Sequence, residues 1–229
     1  MTDFEEGAII LIDKPYGWTS FDVVNKIRYS LRDITGIKKN KIGHAGTLDP
    51  LASGLLILLT GKLTKKIETF QGFEKEYTGT FSLGATTPCF DLEKDIDARF
   101  PTDHITDLMI REVAVKFTGS FLQTPPVFSA IKINGKRAYQ YARKEQDVEI
   151  PAKMVTIREF EITRIALPEV DFRICCSKGT YIRSLARDFG LALTSGAHLI
   201  ALRRTRIGDY IVEDAVAPED WLSSLRDIA

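Results

Sequence analysis

Cysteine is scarce in this 229-residue chain: Cys89, Cys175 and Cys176 are the only three, with no C-x-x-C spacing. That excludes a disulfide framework and a zinc ribbon and leaves reduced, structural thiols. Long apolar runs are missing too. The purely aliphatic stretch Leu55 to Leu59 is far short of the ~20 residues that span a bilayer. The start, Met1 to Glu6, is acidic and lacks the basic-then-apolar order of a secretory signal. A cytoplasmic protein without membrane contact is expected. No internal repeat or low-complexity tract stands out, and 44% hydrophobic with 27% charged residues is ordinary for a folded soluble protein. One large domain or two small ones suit this length, and a single domain over residues 1–229 is the expectation.

Net charge is absent as well, with 31 basic residues against 31 acidic. As an average this argues against a polyanionic partner. The distribution argues otherwise. From Lys14 to Lys66 there are ten Lys/Arg against three Asp, and from Phe128 to Lys144 five basic residues and no acidic one. The balance comes from Asp91 to Glu112 and Asp209 to Asp227. Two readings stand side by side: solvated faces that average out in three dimensions, or basic stretches, Arg203 to Arg206 included, that converge on one face.

Ala8 to Ile12 reads as a buried strand running into the turn Asp13-Lys14-Pro15-Tyr16-Gly17. Ser20 is the expected N-cap of a helix whose apolar face is Phe21, Val24, Ile27 and Leu31. A Gly/Pro-punctuated loop fills 42–54. Glu76 to Leu83 alternates like a strand, and Thr106 to Phe117 has helical spacing. Met154 to Ile165 and Val170 to Ser177 pair as a hairpin, Thr180 caps a helix through Leu193, and Leu199 to Ile211 closes the chain as a strand. This order predicts an α+β fold, a mixed, largely antiparallel sheet flanked by helices.

The densest cluster of turn residues is Gly43-His44-Ala45-Gly46-Thr47-Leu48-Asp49-Pro50-Leu51-Ala52-Ser53-Gly54. A phosphate-binding loop does not fit, because Leu63 follows Gly61-Lys62 where Ser or Thr is needed. A serine nucleophile elbow fails on Leu51. His44 and Asp49 as a metal pair would need further ligands, and no second cluster supplies them. From the residues alone, a tight loop in which Asp49 caps a turn and a catalytic loop remain equal readings.

Gly43 to Leu56 resembles the signature G-H-x-G-T-L-D-P-x-A-x-G-x-L of the TruB-type tRNA pseudouridine synthases. Lys14-Pro15-Tyr16-Gly17-Trp18-Thr19-Ser20 is similar to that family's K-P-x-G-x-T-S. Gln123 to Lys132, with Gly135, Tyr139, Ala142 and Arg143, resembles its Q-x-P-P-x-x-S-A-x-K…G…Y…A-R. Cys176 to Arg183 and Gly196-Ala197-His198 with Leu202-Arg203-Arg204-Thr205 are similar to its last two motifs. The blocks run from residue 14 to 205.

The resemblance implies the pseudouridine synthase fold and an isomerase acting on a T-loop uridine of tRNA, position 55. It assigns Asp49 as catalytic carboxylate, attacking sugar or base. Tyr77 would stack on the flipped uracil and is the candidate for removing the C5 proton, and Arg183 would pair with Asp49. His44, Tyr181, Leu202 and Lys14 would bind substrate. The T arm of tRNA is the expected partner and a monomer the expected state. Isomerisation transfers no external group and changes no redox state, so no cofactor and no metal are expected.

Each residue also has a plainer reading: Tyr77 and Tyr181 as half-buried strand residues, Arg183 on a helix face, Leu202 in the core. Departures exist. The family's T-D-T-x-D becomes Thr87-Pro88-Cys89-Phe90-Asp91, which leaves Asp91 a weak site candidate, and A-R-x-G becomes Ala142-Arg143-Lys144-Glu145. Many relatives continue into a PUA-type RNA-binding domain, for which the tail from Asp209 is too short. A non-catalytic RNA-binding module is the main competing class. Methyltransferases and deaminases would need a Gly-rich cofactor motif or a zinc signature.

Overall fold

Aliphatic runs decide where the sheet lies. The computed structural model describes residues 4–36, 40–129, 131–133, 136–138 and 149–226. Its strands are β1 (Ile9–Lys14), β2 (Ile42–His44), β3 (Ser53–Thr60), β4 (Lys75–Leu83), β5 (Ala85–Thr86), β6 (Ala98–Arg99), β7 (Gly119–Gln123), β8 (Lys132–Ile133), β9 (Lys136–Arg137), β10 (Lys153–Ala166), β11 (Glu169–Cys176), β12 (Ala197–Ile207) and β13 (Tyr210–Ile211). The helices are α1 (Ser20–Thr35), α2 (Ile67–Gly72), α3 (Asp107–Lys116), α4 (Ile182–Ala192) and α5 (Pro218–Arg226). This is the α+β architecture with a largely antiparallel sheet that the pattern predicts. Gly135, Tyr139, Ala142, Arg143, Lys144 and Glu145 lie outside the described residues.

The chain divides into two compact units, Met1–Tyr77 with Leu202–Ala229, and Thr78–Ala201. In the first, β3 pairs antiparallel with β1 and β2, and parallel with β12 through Arg203↔Ser53 and Arg204↔Gly54. Strand β3 is apolar at every position from Leu55 to Leu59 because both its faces are covered. Leu56 and Leu58 pack with Ile10, Ile12, Val24, Ile27 and Leu222, while Leu55, Ile57 and Leu59 pack with Phe70, Ile207 and Val212. In the second unit the strand order is β12-β4-β11-β10-β7. Four rings, Phe81, Phe160, Phe172 and Phe189, fill its centre, with Phe81 and Phe172 centroids 4.3 Å apart. Phe189 ties α4 to that cluster.

Several boundaries differ from the sequence expectation for identifiable reasons. The N-cap of α1 is Thr19, which forms a reciprocal capping box with Asp22. Ser20 is the first helical residue, its hydroxyl spent elsewhere. The cap of α4 is Tyr181, with no side-chain cap bond, because the Thr180 hydroxyl donates to the Ser177 carbonyl instead. The closing strand ends at Ile207, where Gly208 (φ 56°) turns the chain into β13. Among the described residues no helix is long and apolar enough to cross a membrane.

Candidate active site

Asp49 stands half-buried in the loop 45–52, which joins two antiparallel neighbours, β2 and β3. Glycines open and close this loop in conformations that side chains resist: Gly46 has φ 117° and Gly54 φ 105°. At Gly54 a Cβ would also run into the Arg204 backbone. Both neighbours of Asp49 are tied down. The Ser20 hydroxyl donates to the Leu48 carbonyl (3.0 Å) and accepts from the Leu48 N–H (2.8 Å). The Pro50 carbonyl accepts from the Gly17 N–H at 2.8 Å, and the Asp49 carbonyl accepts from the Ala52 N–H at 3.1 Å.

Lys14 belongs to the same scaffold. Expected at the substrate, it is wholly buried, and its ammonium donates to the carbonyls of Pro15 (3.0 Å), Trp18 (2.5 Å) and Pro50 (3.5 Å). The turn 15–18 closes over the amine. Burial pushes its pKa down to about 8, while the Asp49 charge pulls it up and Arg204 pushes it down again. Arg204 is likewise buried. It donates to the carbonyls of Leu55 (2.8 Å), Gly46 (3.2 Å) and Thr47 (3.4 Å).

His44 ends β2, half-buried, and its Nδ1 is enclosed with no hydrogen-bond partner among the described residues. Burial holds its pKa below the ordinary value; the Gly46 backbone opposes this and the Arg204 charge adds to it. Tyr77 on β4 is half-buried and Leu202 on β12 is 9% exposed. Lys14, His44, Asp49 and Arg204 thus share one electrostatic neighbourhood in the first unit.

In the second unit, Arg183 opens α4. It is buried and donates to the carbonyls of Cys89 (3.2 Å) and Phe128 (2.9 Å), with Asp91 at 3.5 Å from Nε. Asp91, a weak candidate from sequence, is therefore one half of a buried ion pair. Tyr181 is placed by Gln123, whose buried amide accepts from the Tyr181 N–H (2.8 Å) and donates to its carbonyl (3.1 Å). Ser184 donates to the Thr124 carbonyl at 2.8 Å, which anchors the same first turn.

Four residues with positioning contacts were not singled out by sequence reasoning: Ser20, Gln123, Arg204 and, in part, Asp91. All four lie in or beside motifs, the only signal available for them. The basic stretch 203–206 is not an open phosphate surface either. Arg203 pairs with Asp13 at 2.7 Å, Arg206 with Glu74 at 3.2 Å, and Arg204 is buried.

Residues 32–182 match the TruB family pseudouridylate synthase N-terminal domain, and residues 183–226 match the tRNA pseudouridylate synthase B C-terminal domain. The tRNA pseudouridine synthase B of Flavobacterium johnsoniae is 60% identical over 215 residues, 93% of this chain and 94% of that protein. That of Phocaeicola vulgatus is 57% identical over 223 residues, 96% of this chain and 95% of the relative. Among solved structures, a chain in a Cbf5-Nop10-Gar1 complex superposes with a TM-score of 0.71 at 29% identity, covering 96% of this chain and 54% of that one. A chain of an H/ACA RNP bound to a substrate RNA containing 2'-deoxyuridine gives 0.68 at 28%, covering 96% and 53%. The present chain spans about half the length of these two structural relatives.

Proposed function

The chain belongs to the TruB family of pseudouridylate synthases, and from that membership we propose that it converts uridine 55 in the T loop of tRNA to pseudouridine, with Asp49 as the catalytic carboxylate. The observation that carries the reading is the double brace on Asp49. Leu48 is held by Ser20 and Pro50 by Gly17 and Lys14, so the carboxylate is presented from a loop with little freedom. Such fixation suits a group that must meet a reacting atom within a fraction of an ångström.

The target base is unreachable while stacked, so it is flipped out, at a cost of a few kcal/mol. Tyr77 recovers part of this by stacking, worth about 1 to 3 kcal/mol per base. Asp49 then acts as nucleophile at the sugar or at the pyrimidine ring; the N1–C1′ bond breaks, C5 bonds to C1′ as the bond to the Asp49 carboxylate breaks, and N1 takes up a proton while C5 loses one. Tyr77 takes the C5 proton. Arg183 is the charge partner of the reaction, preset by the Cys89 and Phe128 carbonyls and by Asp91. His44, kept neutral at physiological pH by burial, contacts the substrate with an imidazole and not with a cation. Tyr181 and Leu202 are assigned to substrate binding, and Lys14 to holding the loop. Residues 1–229 act as one catalytic domain, as a monomer in the cytoplasm, where unmodified tRNA is found.

The test is to incubate the purified chain with an unmodified tRNA transcript and map pseudouridine at nucleotide resolution. One product at uridine 55 is expected. Product at another position would overturn the assigned specificity, and no product would overturn the assigned activity.

A further inference from the structure

Arg204 makes a pattern of contacts that ordinary core packing does not need. The residue is 1% exposed, and its guanidinium donates to carbonyls on both sides of Asp49: Gly46 and Thr47 in the loop before it, and Leu55 on β3 after it. Among the described residues no carboxylate lies within ion-pair distance of it. A buried cation without a carboxylate is costly to keep. Arginine cannot escape that cost by losing its proton, because its pKa exceeds 12. A neutral amide could have bonded one or two of the same carbonyls at less expense. The planar fork, which reaches three carbonyls on the two sides of Asp49 at once, is therefore the feature that needs explaining.

We propose that Arg204 is a positioning residue for the isomerisation: its planar fork ties the backbone on both sides of Asp49, at Gly46 and Thr47 and at Leu55, to β12. The proposal rests on the reading of Asp49 as catalytic. The register makes the tie rigid. Arg204 stands opposite Gly54 in the parallel β3–β12 pair, and Gly54 lets the two backbones approach closer than any side chain would allow. Backbone and guanidinium of one residue thus hold the loop at three acceptors and a strand contact.

The experiment compares Arg204→Lys, Arg204→Gln and Asp49→Asn in the full chain, with an unmodified tRNA transcript as probe. Thermal unfolding, tRNA affinity and the single-turnover rate at saturating enzyme are measured for each. Both Arg204 variants are expected to unfold cooperatively and to bind tRNA within about threefold of the parent, since phosphate contacts dominate affinity. Their single-turnover rate should fall by about 100-fold, the loss typical of an ångström of misplacement. The proposal is overturned if both folded variants react within about threefold of the parent, or if lost affinity accounts for the lost rate. Failure of both variants to fold would also overturn it, by making Arg204 a residue of the fold alone. If Asp49→Asn is inactive while the Arg204 variants are not, only this inference fails; if Asp49→Asn is active, the reading beneath it fails.

Discussion

A lysine that no solvent reaches has to be held by something other than water, and Lys14 is held by three carbonyls around the turn that approaches Asp49. Its pKa of about 8, against an ordinary 10.5, means that between those two values the unfolded chain binds a proton that the folded chain does not. Stability from this group therefore rises with pH between about 8 and 10.5 and no longer changes with pH below that window. The difference in urea-unfolding free energy between the parent and Lys14→Met should grow in the parent's favour from pH 8 to pH 10; a flat or falling difference would contradict the shift. Arg183 illustrates geometry in place of charge. A lysine there keeps the cation but cannot span the Cys89 and Phe128 carbonyls and Asp91 together. Arg183→Lys should lower the single-turnover rate by about 100-fold or more, and near-parental turnover would remove Arg183 from the catalytic set. The loop that carries Asp49 stands out in the sequence because its motif is long and specific. The burial of Lys14 and Arg204 is not legible, because sequence records charge and not burial.

At the scale of elements, periodicity placed β1, β4, α3 and the β10–β11 hairpin within a residue or two, and α1 by its apolar face. It misassigned the caps. Thr19 and Ser20 are both cap-forming types, and only the position of Leu48 decides that Ser20 braces the loop while Thr19 caps α1. Helix α5 went unread because Pro218–Arg226 is short and its burial rests on Leu222 against α1 and β1. The β3–β12 contact is tertiary, a parallel pairing between strands more than a hundred residues apart, and no local pattern reports it. Gly54 is the residue on which that contact depends. Gly54→Ala places a side chain at φ 105° against the Arg204 backbone, and it should destabilise the protein by about 2 to 5 kcal/mol. An unchanged urea midpoint would show that the two backbones are not so close.

For the molecule as a whole, the segregation of charge was visible in the sequence, while its availability was not. Lys14 and Arg204 are buried, and Arg203 and Arg206 answer to Asp13 and Glu74. Lys41, Lys62 and Lys65 line a cleft of about 290 Å³ in the first unit; Lys41 and Lys65 face solvent there, as does the neighbouring Lys66, while Lys62 pairs with Glu6 at 2.6 Å. If about four phosphates are neutralised, the slope of log affinity for tRNA against log salt should be about −3, and one shallower than about −1 would leave hardly any phosphate contacts. The family assignment fixes the reaction class; what most needs testing is that Asp49 performs the chemistry and does not merely shape the loop. The direct measurement is the single-turnover rate of pseudouridine formation by Asp49→Asn, made beside its affinity for the same tRNA. Because an amide is no nucleophile, turnover is expected to vanish while affinity stays within about tenfold of the parent, the RNA being held by phosphate and shape. Activity above about a tenth of the parental rate in the folded variant would contradict the account.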